Sequence, residues 1–195
     1  MMDPTPDGMM SDESDEALLV RYISGDTAAA RLLTMRLTPV IYAYAYRMLG
    51  RSSDVDDIVQ DAMLRLWKHA PKWRQDEAKV STWLYRVTSN LCIDHMRKKK
   101  HDTIDQMPEI EDDQPLAEDR LQSRHQSQAL HQALLELPGR QRQAVILRHL
   151  DGLANPQIAD IMDISVDAVE SLTSRGKRRL AELLSDKKEV LGYVR

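Results

Sequence analysis

Phenylalanine is absent from this 195-residue chain, and tryptophan and tyrosine bring the aromatic share to only 5%. Cores must therefore be built from Leu, Ile, Val, Met and Ala, which suits small helical units better than a sandwich or barrel. Glycine (7) and proline (8) are too few for a chain with many tight β-turns. A single cysteine, Cys92, excludes an intramolecular disulfide and fits a reducing compartment. No apolar run approaches the roughly 20 residues of a membrane span, and no basic-then-apolar signal segment opens the chain. These absences predict an all-α, cytoplasmic protein.

Catalytic signatures are missing as well. The chain has no Gly-rich phosphate loop, nucleophile elbow or HExxH. Cys92 and His95 stand at i and i+3, but no second pair at ligand spacing follows, so a buried cysteine and a helical histidine are the simpler reading. His69, His101, His125, His131 and His149 are scattered. No enzyme activity, metal or cofactor is expected.

The net charge of −4 is unevenly distributed. Asp3, Asp7, Asp12, Glu13, Asp15 and Glu16 acidify the N-terminus; Asp102, Asp105, Glu109, Glu111, Asp112, Asp113, Glu118 and Asp119 acidify the middle. Without those fourteen acids the balance becomes +10, so the segments expected to fold are basic. Residues 1–14 show no apolar period and read as a disordered acidic tail. Residues 15–101 read as one helical domain, broken at Gly25–Asp26, Gly50–Asp54 and Pro71. Residues 102–126, with eight acids and two prolines, read as a flexible acidic linker. Residues 127–195 read as a second helical domain. The expected architecture is two small helical domains on an acidic tether.

Within the first domain, the run from Ser81 to Lys100 carries the most information. Val80, Leu84, Val87 and Leu91 fall on one side of a helix and face a core. Beside them runs a stripe of Trp83, Arg86, Asn90 and Arg97, followed by Lys98, Lys99 and Lys100. An aromatic, an amide and guanidiniums in one line offer stacking, base-edge hydrogen bonding and phosphate contact together. Helix-dipole compensation accounts for one or two of the terminal cations, but not for the whole stripe.

The segment 54–70 is strongly amphipathic. Val55, Ile58, Val59, Ala62, Met63, Leu66 and Ala70 share its buried side, with Trp67 at the margin. Asp54, Asp57, Gln60, Asp61, Arg65 and Lys68 stand opposite, around Leu64. An apolar anchor with a charged rim has the layout of a protein interface, and a solvated face with one exposed leucine is the alternative. Between the two helices, Pro71 and a polar cluster mark a loop holding Trp73, Arg74, Gln75, Asp76 and Lys79. It is either a base-holding pocket or a solvated connector.

The second domain contains a helix-turn-helix pattern. Asn155 can cap a short helix from Pro156 to Met162; Asp163–Ile164 turns, and Ser165 caps the next helix. There Val166, Val169, Leu172, Thr173, Gly176, Leu180 and Leu183 turn inward, with Gly176 permitting close approach of a neighbour. Asp167, Ser171, Ser174, Arg175 and Arg178 point outward, flanked by Glu170 and Lys177. Short polar groups near the helix start and cations further along suit major-groove reading; an ordinary two-helix corner is the alternative.

The W-L-Y-R-[IV]-x-x-N-x-x-x-D-x-x-R run at residues 83–97 resembles the signature of bacterial extracytoplasmic-function sigma factors, where it lies in the helix that reads the −10 promoter element. The D-x-x-D-x-x-Q-D-x-x-x-x-x-W run from Asp54 is similar to that family's docking segment for the clamp-helix coiled coil of RNA polymerase. The run from Leu137 to Leu153 resembles the opening of the family's −35-binding domain, L-P-x-x-x-R-x-[AV]-[FV]-x-L-R-x-x-x-G-L. Two positions depart from the pattern: Asp163 stands where glycine is frequent, and Glu170 where a basic residue is common. Asp tolerates the left-handed turn, whereas Glu170 bears on the −35 contact itself.

The resemblance, over roughly residues 15–190, implies a transcription initiation factor that binds core RNA polymerase and promoter DNA. It assigns Asp54, Asp57, Gln60, Asp61, Leu64, Arg65 and Lys68 to polymerase. Trp73, Arg74, Lys79, Trp83, Arg86, Asn90, Arg97 and Lys98 go to the −10 element, and Ser165, Asp167, Glu170, Ser171, Ser174, Arg175, Lys177 and Arg178 to the −35 element. It further implies an anti-sigma factor partner, with the chain monomeric when free, and a tether that threads polymerase channels. Two other classes remain open at this point: a stand-alone helix-turn-helix regulator, and a sigma-like adaptor without promoter function.

Overall fold

The computed structural model describes residues 13–50, 53–74, 79–102 and 118–185. The tail expected over residues 1–12, Gln75 and Asp76 of the loop, and 103–117 of the expected linker lie outside the described residues.

All regular elements among the described residues are helical. Helix α1 (Asp15–Ile23) starts at Ser14, whose hydroxyl accepts from the Ala17 N–H at 3.2 Å. Helix α2 (Thr27–Leu49) starts at Asp26, whose carboxylate accepts from the Ala28 and Ala29 N–H groups and from Arg21. It runs through the exposed Pro39 and ends at Gly50, where the backbone turns to φ 81°. Helix α3 (Asp54–His69) passes into a 3-10 turn over Ala70–Lys72, and α4 spans Val80–Asp102.

Helix α2 is the central post of this first unit, with α1, α3 and α4 packed around it. Leu33, Leu37, Ile41, Tyr44 and Met48 bury one side of it. Every residue expected on the buried side of α3 is buried: Val55, Ile58, Val59, Ala62, Met63 and Leu66, with Ala70 just beyond. Each large member contributes about 1.5–3 kcal/mol relative to exposure. This packing fixes which face of α3 is turned outward.

The second unit comprises α5 (Glu118–Leu135), α6 (Gly139–Val145), a π turn (Ile146–Leu150), α7 (Asn155–Met162) and α8 (Val166–Ser185). Helical backbone begins at Glu118 rather than near Ser127. Glu118 and Asp119 suit a first turn, where the macrodipole favours carboxylates. Helices α6 and α8 cross closely at Gly176, where an added Cβ would lie 2.6 Å from Val145 Cγ2. The expected close-approach role of that glycine is what the structure shows.

Two local expectations are corrected. Asn155 is not the cap of α7 but its first residue. Ala154 precedes it, with its N–H donating to Gln157 Oε1 at 3.0 Å, and this bond leaves the Asn155 amide free to donate to Glu170. Val166 is exposed rather than inward, because the first turn of α8 projects past its neighbours.

The buried face of α4 is wider than its apolar period. Val80 and Leu84 are buried as expected, but Val87 and Leu91 are only half-buried. Tyr85, Thr88, Ser89 and Cys92 are buried instead. The cause is coverage from both sides: α2 and α3 pack on one flank of α4, and α7 of the second unit on another. The buried hydroxyls are satisfied, since Thr88 donates to the Leu84 carbonyl at 2.9 Å and Ser89 accepts from the Gln143 amide. The hydrophobic core is accordingly one cluster running through both units.

Candidate nucleic-acid and protein interfaces

The first surface is the outer face of α3. Its register turns Asp57, Gln60, Leu64, Arg65 and Lys68 into solvent. Leu64 is 47% exposed, an apolar side chain on a rigid helix with charges around it. Asp61 and Arg65, one turn apart, pair at 2.9 Å and hold the rim in place. Asp54 stands apart from this group, because its carboxylate lies 3.2 Å from His95 Nε2 of α4.

The second surface gathers at the N-terminal half of α4. His69 stacks on Trp83 with ring centroids 5.0 Å apart and planes 9° from parallel. Trp73 meets both rings edge-on, at 5.8 and 6.2 Å. Three ring systems from the end of α3, the following turn and the start of α4 thus form one aromatic corner. Arg74 and Lys79 are exposed beside it. Further along α4, Asn90, Arg97 and Lys98 are exposed, and Arg97 pairs with Asp94 at 2.8 Å. Arg86 differs from its stripe: its guanidinium donates to the Asp160 carbonyl of α7, from Nε at 2.9 Å and from Nη2.

The third surface is the helix-turn-helix. Asp163 ends α7 in the left-handed region at φ 52°, the conformation expected of a glycine stand-in. Ser165 caps α8, accepting from the Ala168 N–H at 3.2 Å. Asp167, Glu170, Ser171, Ser174, Arg175, Lys177 and Arg178 are exposed along α8. Glu170 is held by the Asn155 amide at 3.2 Å, and a shallow pocket of about 290 Å³ beside it is lined by Arg148, His149, Asn155, Thr173, Ser174 and Lys177.

The structure therefore brings the α3 face, the aromatic corner and the α8 face into three separate patches. Sequence reading missed what joins them. Arg142 is buried and donates to the carbonyls of Met48, Leu135 and Leu137, tying α2 to the α5–α6 turn. Burial lowers its pKa from the usual arginine value. Arg47 of α2 pairs with Asp151 after the π turn, and burial pushes the Asp151 carboxyl up while Arg47 pulls it back. Arg142 had a signal, as the arginine of the L-P-x-x-x-R run; His69, Arg47 and Asp151 had none. Burial also holds the Cys92 thiol at about 12. Among the described residues no group of three or more metal-ligating side chains gathers, and no helix is long and apolar enough to cross a membrane.

A helical molecule that pairs a cationic, aromatic helix with a helix-turn-helix belongs to the class of promoter-recognising transcription factors. Residues 33–101 match sigma-70 region 2, and residues 127–180 match sigma-70 region 4. The chain belongs to the extracytoplasmic-function sigma factors, the transcription initiation factors that bind core RNA polymerase and direct it to promoters. It is 34% identical to the sigma factor SigW of Bacillus subtilis over 75% of this chain and 83% of that one. It is also 34% identical to SigM of Mycobacterium tuberculosis, over 91% of this chain and 88% of that one. The solved structure of CnrH in complex with the cytosolic domain of CnrY shares the fold, with a TM-score of 0.67, 26% identity and coverage of 89% of this chain and 99% of that one. So does the sigma factor RpoE of Bartonella quintana in complex with the anti-sigma factor NepR, at a TM-score of 0.63 and 23% identity over 78% and 94% of the two chains.

Proposed function

We propose that the three patches divide the work of promoter recognition. The outer face of α3, centred on Leu64 with Asp57, Gln60, Asp61, Arg65 and Lys68 around it, docks on core polymerase; Asp54 flanks it. The aromatic corner and the α4 stripe hold the −10 strand. There Trp83 and Trp73 offer stacking surface, Arg74 and Lys79 flank the opening, and Arg86, Asn90, Arg97 and Lys98 serve base edges and phosphates. The exposed face of α8 enters the major groove at the −35 element, with Ser165, Asp167, Glu170, Ser171 and Ser174 toward bases and Arg175, Lys177 and Arg178 toward phosphates. The Leu64 geometry carries this reading, since an apolar anchor rimmed by charge has no role in the fold itself.

Residues 15–101 and 127–195 act as the two recognition domains and 102–126 as the tether between them. The net charge of −4 makes polymerase recruitment the main source of DNA affinity, because few phosphate contacts give modest binding at physiological salt. The protein works in the cytoplasm, monomeric or one-to-one with an anti-sigma factor, as the partners in the CnrH and RpoE complexes suggest. Run-off transcription with bacterial core polymerase on a promoter library tests the reading. Start sites that need this protein and vanish on replacing Leu64 and Asp61 support it. Failure to bind core polymerase overturns it.

A further inference from the structure

We propose that the free protein closes on itself: its second unit sits on the −10 face of α4 and must move away before promoter DNA is engaged. The proposal rests on the sigma-factor reading above. Its first support is Arg86, a member of the −10 stripe whose guanidinium is taken up by the Asp160 carbonyl of α7. While that contact persists, Arg86 has fewer donors to offer a phosphate or a base.

The second support is the character of the junction. Arg47 pairs with Asp151, whose side chain is only 7% exposed. Gln143 donates to Ser89, and Arg142 to the Met48 carbonyl. The α4 residues buried beneath α7 include the small or polar Thr88, Ser89 and Cys92. Contacts of this kind resemble separable domain interfaces more than a permanent core.

The third support is length. Elements at −35 and −10 are nominally 25 base pairs apart, about 85 Å at 3.4 Å per base pair. A single globule of this chain length has a radius of gyration of about 16 Å, hence is about 40 Å across. With α4 packed directly on α7, the two recognition surfaces cannot reach both elements at once. The closed form and the promoter-engaged form are two states, and the closed population lowers apparent affinity for polymerase and DNA by the fraction it removes.

Charge reversal across the junction tests this. Arg47→Glu and Asp151→Lys each set like charges against each other, one from each unit, and the double variant restores an opposite pair. By small-angle scattering the unaltered protein is expected to give a single-globule radius. Each single variant should enlarge it at unchanged helical content and capture core polymerase several-fold more tightly, and the double variant should reverse both. A free protein already extended, or single variants with the parental radius, overturns closure; enlarged radii with unchanged capture overturn its regulatory role. Should the single variants lose helical content, dyes on Met35→Cys and Ala181→Cys report the inter-unit distance in an otherwise unaltered junction. A short distance that lengthens on adding core polymerase supports closure, and one that stays fixed overturns it. Absence of core binding by every variant counts against the sigma reading and leaves the scattering result standing.

Discussion

Gly176 of α8 and Val145 of α6 approach so closely that a Cβ on the glycine would lie 2.6 Å from Val145 Cγ2 and 3.2 Å from the Gln141 carbonyl. The first clash is with a buried side chain and the second with backbone, so neither yields easily. Gly176→Ala is expected to destabilise the protein by about 1–3 kcal/mol through overpacking, despite alanine's better helix propensity. Adding Val145→Ala should recover part of the loss, giving a double-mutant cycle with a favourable coupling term in thermal or urea unfolding.

Leu64 should separate function from stability. Leu64→Ala on the exposed face of α3 is expected to leave the melting temperature within the scatter of surface substitutions. If the leucine is an interface anchor, core polymerase affinity falls by about 2 kcal/mol, roughly thirtyfold. Titration of labelled polymerase measures the second effect, and differential scanning calorimetry the first.

Glu170 gives the −35 contact its own character. Its carboxylate, held by Asn155, can accept from a cytosine amino group in the major groove. Glu170→Gln should move the selected base at one −35 position toward adenine and leave the −10 motif unchanged. Sequencing transcripts from a randomised promoter pool reads this out. An unaltered −35 preference would mean that Glu170 does not touch a base.

Alkaline unfolding should begin early. Burial holds Cys92 at about 12 against an ordinary 9.0, and it raises Tyr44 and Tyr85 as well. Each of these acids is kept in its protonated, neutral form by the fold. Their shared contribution is complete below the unfolded-state values and is lost as pH rises through the folded ones. Stability measured by urea titration is therefore expected to fall from about pH 9 upward. Cys92 should also resist alkylation at pH 8 until the chain unfolds.

Much of the fold was legible because one period dominates each helix. Val55 to Leu66 repeat at helical spacing, and every one of them is buried. Asp163 in the left-handed region and Gly176 at a helix crossing were readable for the same reason, since each answers a local geometric demand. What could not be read was long-range. Ser89 and Cys92 looked like surface or marginal positions because a periodicity argument knows one core, whereas α4 is covered by two units. The Arg47–Asp151 pair joins residues more than a hundred positions apart, and no spacing rule connects them. Of the candidate site, the residue types on α3 and α8 were readable as faces, while the occupation of Arg86 by Asp160 required the packing of α4 on α7.

The aromatic corner has an optical consequence. All three tryptophans of the chain, Trp67, Trp73 and Trp83, lie in the first unit, each in contact with another ring, and the second unit contains none. Intrinsic indole emission is thus a built-in reporter of one half of the molecule. A nucleobase arriving beside Trp83 should quench it directly, without an added dye. Melting of the helix-turn-helix half, by contrast, should appear in circular dichroism while the fluorescence stays largely silent.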